Sequence, residues 1–378
     1  MSGMHLYIHV PFCRSKCLYC AFLSCPFEPE LVSGYVAAVC EEIVYWGRAL
    51  GRPEVSTLYC GGGTPSLLAV CDLEAIFRTV RDHFALRPGT ECSLEANPDS
   101  CCSPGYLAQL RGVGVNRLSL GLQSLDPACL AFLDRRHTAE QGRTACCLAR
   151  EAGLDNLSVD LLWAVPGQAA ADWIAGLQAV QTLGVRHVSC YTLSVEPGTG
   201  LEALEQSGTL DWPSEDEQVR MYLQGRECLQ AMGFEQYELS NFACPGYECA
   251  HNLGYWQGRD YLGFGPSAVS CLGSRRWKNV SDVLSYCTAP LDRGLASQET
   301  GLSPRDQANE LIMLGLRTAQ GLSLSDYAGL RGEDLLAEHR ELLAGLQARN
   351  LITVDQERLR LTPQGMLVSD SVMASLFH

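Results

Sequence analysis

The sequence predicts an α/β fold: a partial TIM-type βα barrel of about six parallel strands, followed by a C-terminal winged-helix-like α+β region. Three observations predict it. Short apolar, β-rich runs recur roughly every 25–45 residues, with helix-like stretches between most of them, and such alternation gives parallel strands joined by crossover helices. Glycine, proline and polar residues collect after each run, at the strand end where a βα barrel binds ligands. The pattern then changes after about residue 205.

The elements follow in order. The run Leu6–Val10 leads into PFCRSKC, and Glu30–Leu50 carries apolar residues at helical spacing. Ser56–Cys60 leads into GGGTP and the helical stretch Cys71–Phe84; Glu91–Glu95 leads into ANP. Arg117–Leu120 is followed by the turn Gly121–Ser124 and by the helical stretch Ala139–Ala152, which Gly153 stops. Leu157–Leu162 leads into VPGQ and His187–Leu193 into SVEPGTG. Residues 1–204 are therefore expected to form the barrel core. Residues 205–300 form an aromatic, glycine-rich extension that completes the pocket. It opens with a helix marked by Ser214 and Glu217 in capping-box spacing and by Gly233 beyond its end. Residues 301–378 form the winged-helix-like domain, ending in the strand pair Leu351–Val354 and Arg358–Leu361. From Pro304 onward there are seven arginines, no lysine and ten acids, a net charge of −3 that is the wrong sign for phosphate contacts.

The whole chain carries −15, which disfavours non-specific attraction to nucleic acid or an anionic membrane. Its first residues lack the basic and apolar regions of a signal peptide, and no run of about 18 apolar residues exists to span a membrane. The expectation is a cytoplasmic protein with reduced thiols. Its 19 cysteines, an odd number, then argue against a disulfide framework. The pairs Cys101–Cys102 and Cys146–Cys147, and the single Cys40, Cys129 and Cys228, are read as small apolar core residues.

Cys13, Cys17 and Cys20 differ. They stand in C-x3-C-x2-C spacing on the loop after the first strand. Structural zinc usually takes four ligands in two short pairs. Three closely spaced thiolates fit an iron–sulfur cluster better, although zinc and unrelated cysteines remain the alternatives. Three cysteines leave one iron of a 4Fe–4S cluster open to a small molecule. A sulfonium compound with an amino and a carboxylate group could chelate it, and an electron from the cluster would break its C–S bond.

The cysteine pattern, with Tyr19 before the last cysteine, resembles that of the radical S-adenosylmethionine superfamily. The blocks YIHVPFC, GGGTPSLL, SLEANP, GVNRLSLGLQS, SVDLLWAVPGQ, QYELSNFACPGYECAHNLGYW and DYLGFGPSAVS are similar to the oxygen-independent coproporphyrinogen III oxidase family, in particular its heme chaperone branch. The resemblance implies that Tyr7 lies beside the sulfonium of S-adenosylmethionine. It implies that Gly61, Gly62 and Gly63 let the backbone approach the cofactor's methionine part, that Thr64 adds a hydroxyl, and that Glu95 accepts hydrogen bonds from the ribose. Gln123, Arg135 and Asp160 match positions that hold a second S-adenosylmethionine in the oxidase, with Arg136 as the alternative match to Arg135.

Two features separate the branches. The oxidase branch has a further cysteine where this chain has Phe22, and an N-terminal extension where only twelve residues precede Cys13. The chaperone branch usually has aspartate at the position of Ala21, so the chain departs there from both. His251–Asn252–Leu253–Gly254–Tyr255 fits the HNxxY signature that the resemblance associates with heme binding. That implies His251 as an axial ligand, with Tyr255, Trp256, Tyr261 and Phe264 as apolar walls. Arg275, Arg276 and Lys278 read as a solvated basic turn, with pairing to heme propionates as the alternative. The resemblance thus implies a carrier that passes heme to a hemoprotein, with an electron donor protein as a further partner. Decarboxylation of coproporphyrinogen III is the competing activity.

Overall fold

The computed structural model describes residues 3–288 and 296–377. All six expected strands form: β1 (Met4–Val10), β2 (Glu54–Gly62), β3 (Ala85–Ala96), β4 (Arg117–Gln123), β5 (Asn156–Trp163) and β6 (His187–Thr192), each paired in parallel with the next. Helices α1 (Pro29–Ala49), α2 (Val70–His83), α3 (Pro104–Val113), α4 (Ala139–Glu151) and α5 (Ala170–Val180) occupy the crossovers. Thr138 and Gln141 close a full capping box at the start of α4.

Beyond the barrel series lies the longer helix α6 (Glu215–Ala231), where only half of the expected box forms. The Ser214 hydroxyl accepts from the Glu217 N–H, but the Glu217 side chain accepts instead from Ala170 N, 2.8 Å away, and so caps α5. The expected barrel boundary at residue 204 falls inside the helix Gly200–Gln206.

The extension adds β7 (Asn241–Ala243), antiparallel to β6, then the short helix α7 (Ala250–Trp256) and β8 (Tyr261–Phe264). β8 runs parallel to β1 on its free side, with Tyr261 opposite His5 and Phe264 opposite Ile8. The parallel series therefore has seven strands rather than about six. Antiparallel β9 (Val269–Leu272), β10 (Arg275–Asn279) and β11 (Ala296–Gly301) continue the sheet outward. Arg275, Arg276 and Lys278 thus lie on a strand, not a turn. Arg275 pairs with Glu299 and Arg276 with Glu310.

The C-terminal region has its own core, including Ala308, Ile312, Leu316, Leu322, Tyr327 and Leu359, and a three-stranded antiparallel sheet of 322–323, 358–361 and 352–354 in that order. It is tied to the extension by Leu239 N to Arg317 O and Ala319 N to Tyr237 O, both 3.0 Å. Among the described residues no helix is long and apolar enough to cross a membrane.

The readings of Cys40, Cys102, Cys147 and Cys228 as core residues change. Cys101 and Cys146 are fully buried, but their neighbours Cys102 and Cys147 are exposed, because adjacent residues on a helix or helix end point in different directions. Cys129 is buried, whereas Cys40 and Cys228 are half-buried. Glu42, inside α1, is fully buried and accepts from Gly265 N (3.0 Å), Asn279 Nδ2 (2.8 Å) and Tyr286 OH (2.6 Å). One carboxyl thus fastens the first helix to the extension.

Burial pushes the Glu42 carboxyl from 4.5 up to about 7, against the pull of its three donors. A value raised on folding means that the folded chain binds this proton more tightly than the unfolded one. The contribution is full below pH 4.5 and is lost as pH rises through about 7. Glu42→Gln should therefore flatten the fall in stability over this window by on the order of 2 kcal/mol. Urea unfolding at pH 5 and pH 7.5 measures it. A slope unchanged by the substitution would show that Glu42 stays ionised throughout.

Candidate functional site

The loop from Phe12 to Pro26 leaves the end of β1 and returns to its own neck. Cys25 N donates to Pro11 O (2.8 Å) and Phe27 N to Cys13 O (2.9 Å), and the neck residues form a two-rung parallel ladder. On the other side the GGGT turn continues alongside it: Gly63 N donates to Val10 O and Thr64 N to Phe12 O, each at 2.8 Å. The approach leaves no room for side chains. A Cβ on Gly63 would stand 2.6 Å from Phe12 O and 3.0 Å from Cys13 Sγ, and one on Gly62, at φ +112°, would meet the His9 ring at 2.6 Å. The glycines thus bring the backbone against the cysteine loop and against Glu95, whose carboxyl lies 3.0 Å from where a Gly61 Cβ would be.

A chain of polar contacts runs beneath the loop. Arg135 donates to Cys17 Sγ (3.2 Å), Asn97 Oδ1 (2.7 Å) and Gly121 O (2.8 Å). Asn97 donates to Thr64 Oγ1 (3.1 Å), and Thr64 in turn donates to Cys13 Sγ (3.7 Å). Of the two neighbouring arginines, Arg135 faces the thiols, while Arg136 is exposed beside Asp99. Burial pushes the Cys13 and Cys20 thiols up. The Thr64 hydroxyl opposes this at Cys13, and the Phe22 N–H, which points at the sulfur, opposes it at Cys20. Among the described residues no three His, Cys, Asp or Glu side chains converge closely enough to hold one metal ion. Three free thiols on a closed loop, each with a donor aimed at it, fit a cluster in which each thiolate takes a different iron.

Below the loop the barrel interior is polar. One face of each strand presents His5, Tyr7 and His9 (β1), Thr57 and Tyr59 (β2), Glu91, Ser93 and Glu95 (β3), Arg117 and Ser119 (β4), Ser158 and Asp160 (β5), and His187 and Ser189 (β6). Cross-strand contacts such as Tyr59–Glu95, Ser119–Asp160 and Ser158–His187 join them. The alternate residues, among them Leu6, Leu58, Leu94, Leu118, Val159 and Val188, form the core against the helices. A barrel of this kind is ordinarily filled by branched apolar side chains.

Glu95 accepts from Tyr59 OH (2.8 Å) and Gly62 N (3.1 Å); burial and then the charge of Asp160 push it up to about 7. Burial also raises Asp160, while the hydroxyls of Ser189 and Ser119 and the charges of Arg117 and Arg135 pull it back. Tyr7 donates to or accepts from His9 Nδ1 at 3.1 Å. Gln123 sits at φ +63°, at a break in register between β4 and β5, so a strained residue ends the strand at the mouth. Whereas Tyr7 lies midway, its ring stacked on Tyr59 and on His251 with centroids 6.2 and 6.3 Å apart, Gly62, Gly63, Thr64, Glu95, Gln123, Arg135 and Asp160 lie toward the end of the barrel that carries the cysteine loop.

His251 does not. It lies on α7, which precedes β8, near the strand-N-terminal end. Its Nδ1 shares a hydrogen bond with Thr57 Oγ1 (2.7 Å), four residues before Gly61 on β2, so roughly 13 Å separates the two levels. Glu91 caps its helix, accepting from Ala250 N (3.0 Å) and His251 N (3.1 Å). The ring is 1% exposed, stacks on Tyr59 (centroids 4.9 Å apart) and places Nε2 3.2 Å from Tyr255 OH. Burial holds its pKa well below the ordinary value, so the imidazole is neutral. Both nitrogens are engaged, and iron would have to replace Tyr255 at Nε2. Next to it, Tyr255, Trp256, Tyr261 and Arg276 line a cavity of about 940 Å³ that extends to the C-terminal region. Phe264 is not part of this wall: it is fully buried against Phe84.

The sequence reasoning missed Asn97, Tyr59, Glu91 and Arg117. Asn97 had a signal, as the polar residue of the loop after β3. Arg117 had one too, as a charge heading an apolar strand. It is 2% exposed, its Nε has no partner, and no carboxylate lies within ion-pair distance among the described residues.

Residues 7–180 match the model of the radical SAM superfamily, and residues 302–368 that of the HemN C-terminal domain. A solved structure of the radical SAM enzyme coproporphyrinogen III oxidase (HemN) from Escherichia coli superposes with a TM-score of 0.86. It covers 100% of this chain and 90% of its own at 23% identity, a likeness of fold. Fold and site together are those of a radical SAM protein. The heme chaperone HemW of Mycobacterium tuberculosis is 36% identical over 98% of this chain and 94% of its own, and that of Bacillus subtilis 33% identical over 98% of each. The chain belongs to the HemW family.

Gly63→Ala should displace the cysteine loop, because its nearest neighbours are backbone oxygens and the Cys13 sulfur. Iron and sulfide bound after anaerobic reconstitution should fall several-fold, with stability lowered by about 1–3 kcal/mol. Gly345→Ala, where a Cβ meets nothing within 4 Å, is the control and should retain full iron.

Proposed function

We propose that this protein is a heme carrier that receives heme at the strand-N-terminal end of its barrel and passes it to a recipient hemoprotein. The observation that carries the reading is the cavity of about 940 Å³ beside His251, in a chain similar along nearly its whole length to curated heme chaperones. The cavity has the parts a tetrapyrrole needs: aromatic walls in Tyr255, Trp256 and Tyr261, a guanidinium in Arg276 that would exchange Glu310 for a propionate, and a neutral imidazole one layer below. His251 would become the axial ligand by giving up Tyr255.

At the other end, Cys13, Cys17 and Cys20 would hold a 4Fe–4S cluster. Tyr7, Gly62, Gly63, Thr64 and Glu95 would surround S-adenosylmethionine, and Gln123, Arg135 and Asp160 a second molecule of it. When bound, these groups supply one-electron cleavage of the sulfonium C–S bond. Arg135 orients Cys17 through a direct hydrogen bond and braces Cys13 through Asn97 and Thr64. Glu95, raised to about 7, accepts from a ribose more strongly as the carboxylate than as the acid, so ligand binding at this end should strengthen as pH rises through about 7. An electron donor protein is a required partner.

The test is a heme titration of the anaerobically reconstituted protein. Wild type should develop a Soret band, and His251→Ala should lose the band's ligand signature or weaken binding at least tenfold, roughly 1.4 kcal/mol. Trp256→Ala should weaken binding with the spectrum unchanged. Cys17→Ala should lose the iron–sulfur absorbance and keep heme. Steady conversion of coproporphyrinogen III to protoporphyrinogen by the wild type, with S-adenosylmethionine and a reductant, would overturn the carrier reading in favour of the oxidase.

A further inference from the structure

The cavity of about 940 Å³ lies between two walls. The extension supplies one, with Trp256 and Arg276; α8 (Pro304–Leu316) supplies the other, with Gln307, Glu310 and Leu314. Across the gap Arg276 meets Glu310 in a two-pronged ion pair: Nη1 donates to Oε1, and Nη2 to Oε2 at 3.1 Å. The two side chains are 36% and 24% exposed, so the pair faces the cavity rather than being sealed in a core. Glu310 gives both of its oxygens to this guanidinium. Arg358, another cation of the lining, donates instead to Gly321 O at 3.0 Å.

Glu310 has little freedom to leave. Ala308, Ile312 and Leu316 bury one face of α8 in the C-terminal core, and Glu310, two residues on from Ala308, stands on the opposite face. Backbone bonds pin the chain at both ends of the helix. Leu302 N donates to Ser274 O (2.8 Å) before it, and Leu239 N to Arg317 O (3.0 Å) after it. A carboxylate that took Arg276 would push Glu310 into cavity water but leave it within side-chain reach. A group tethered in this way competes at an effective concentration on the order of millimolar or more.

We propose that Glu310 is a tethered competitor for the ligand's carboxylate: it fills Arg276 in the empty cavity, yields it to a propionate of the bound tetrapyrrole, and takes it back as the tetrapyrrole is handed on. The inference rests on the reading that this cavity takes heme. The exchange puts one carboxylate in place of another at the same guanidinium, so a propionate gains little net free energy there and is readily given up. A tetrapyrrole without free carboxylates leaves the ion pair intact and escapes the competition. Glu310 is thus a positioning residue: it acts through Arg276, and it sets how fast the ligand leaves.

The experiment follows the transfer of ferric heme, and separately of its dimethyl ester, from the reconstituted full chain to excess apomyoglobin by absorbance. Glu310→Gln should slow release of heme about tenfold and leave release of the ester unchanged. Glu310→Asp, whose carboxylate is set back by one methylene, should fall between. In an Arg276→Gln background Glu310→Gln should have no further effect, because the competition is for that guanidinium. Equal heme release from wild type and both Glu310 variants would overturn the competition and leave the carrier reading standing. So would a change of the ester's release as large as that of heme, the mark of a merely structural role. A wild type that binds no heme would overturn the carrier reading and this inference with it.

Discussion

The close approach of the GGGT backbone to the cysteine loop is the constraint from which the rest of the thiol-bearing end follows. A loop that presents three thiols and is tethered only at its neck would sample many shapes. Here it is bonded along one flank through Val10 and Phe12 to Gly63 and Thr64. The contact forms only because residues 61–63 have no side chains. Once the turn is in place, Gly62 N is aimed at Glu95 and Thr64 at Cys13, and Asn97 and Arg135 complete the brace. Four successive strand ends thus contribute to one arrangement, and none of the four is sufficient alone.

The polar interior has a different origin. Burying carboxyls, imidazoles and a guanidinium inside a barrel is unfavourable unless they satisfy one another. His5, Thr57 and His251 do so in a chain, as do Ser158, His187 and Tyr237. Arg117 lies among them without a close counter-ion, and its charge lowers the proton affinity of both Glu95 and Asp160. It serves the interior as a shared cation rather than as half of a pair. The apolar core that would ordinarily fill the barrel is moved outward, between sheet and helices.

Much of this was legible in the sequence. The six strands of the barrel series follow from their spacing, and the placement of Cys13, Thr64, Glu95, Gln123 and Asp160 toward one end follows from their common position after, or late in, each strand. The seventh parallel strand was not legible, because Tyr261–Phe264 is four residues long and gains its place only by pairing with β1. Nor was the distance between His251 and the cysteines. Both belong to motif blocks of equal weight in the chain, but one precedes its strand and the other follows, so the barrel carries them to opposite ends. The burial of Glu42 was not legible either, since nothing local marks the three donors that arrive from residues 265, 279 and 286.

Tyr59 deserves a last consequence. Its hydroxyl belongs to Glu95 and its ring to His251, so a single side chain is shared by both ends of the barrel. A ligand at Glu95 that takes this hydroxyl would free the ring that rests on the imidazole, and any change in affinity that followed at His251 would return to Glu95 by an equal factor.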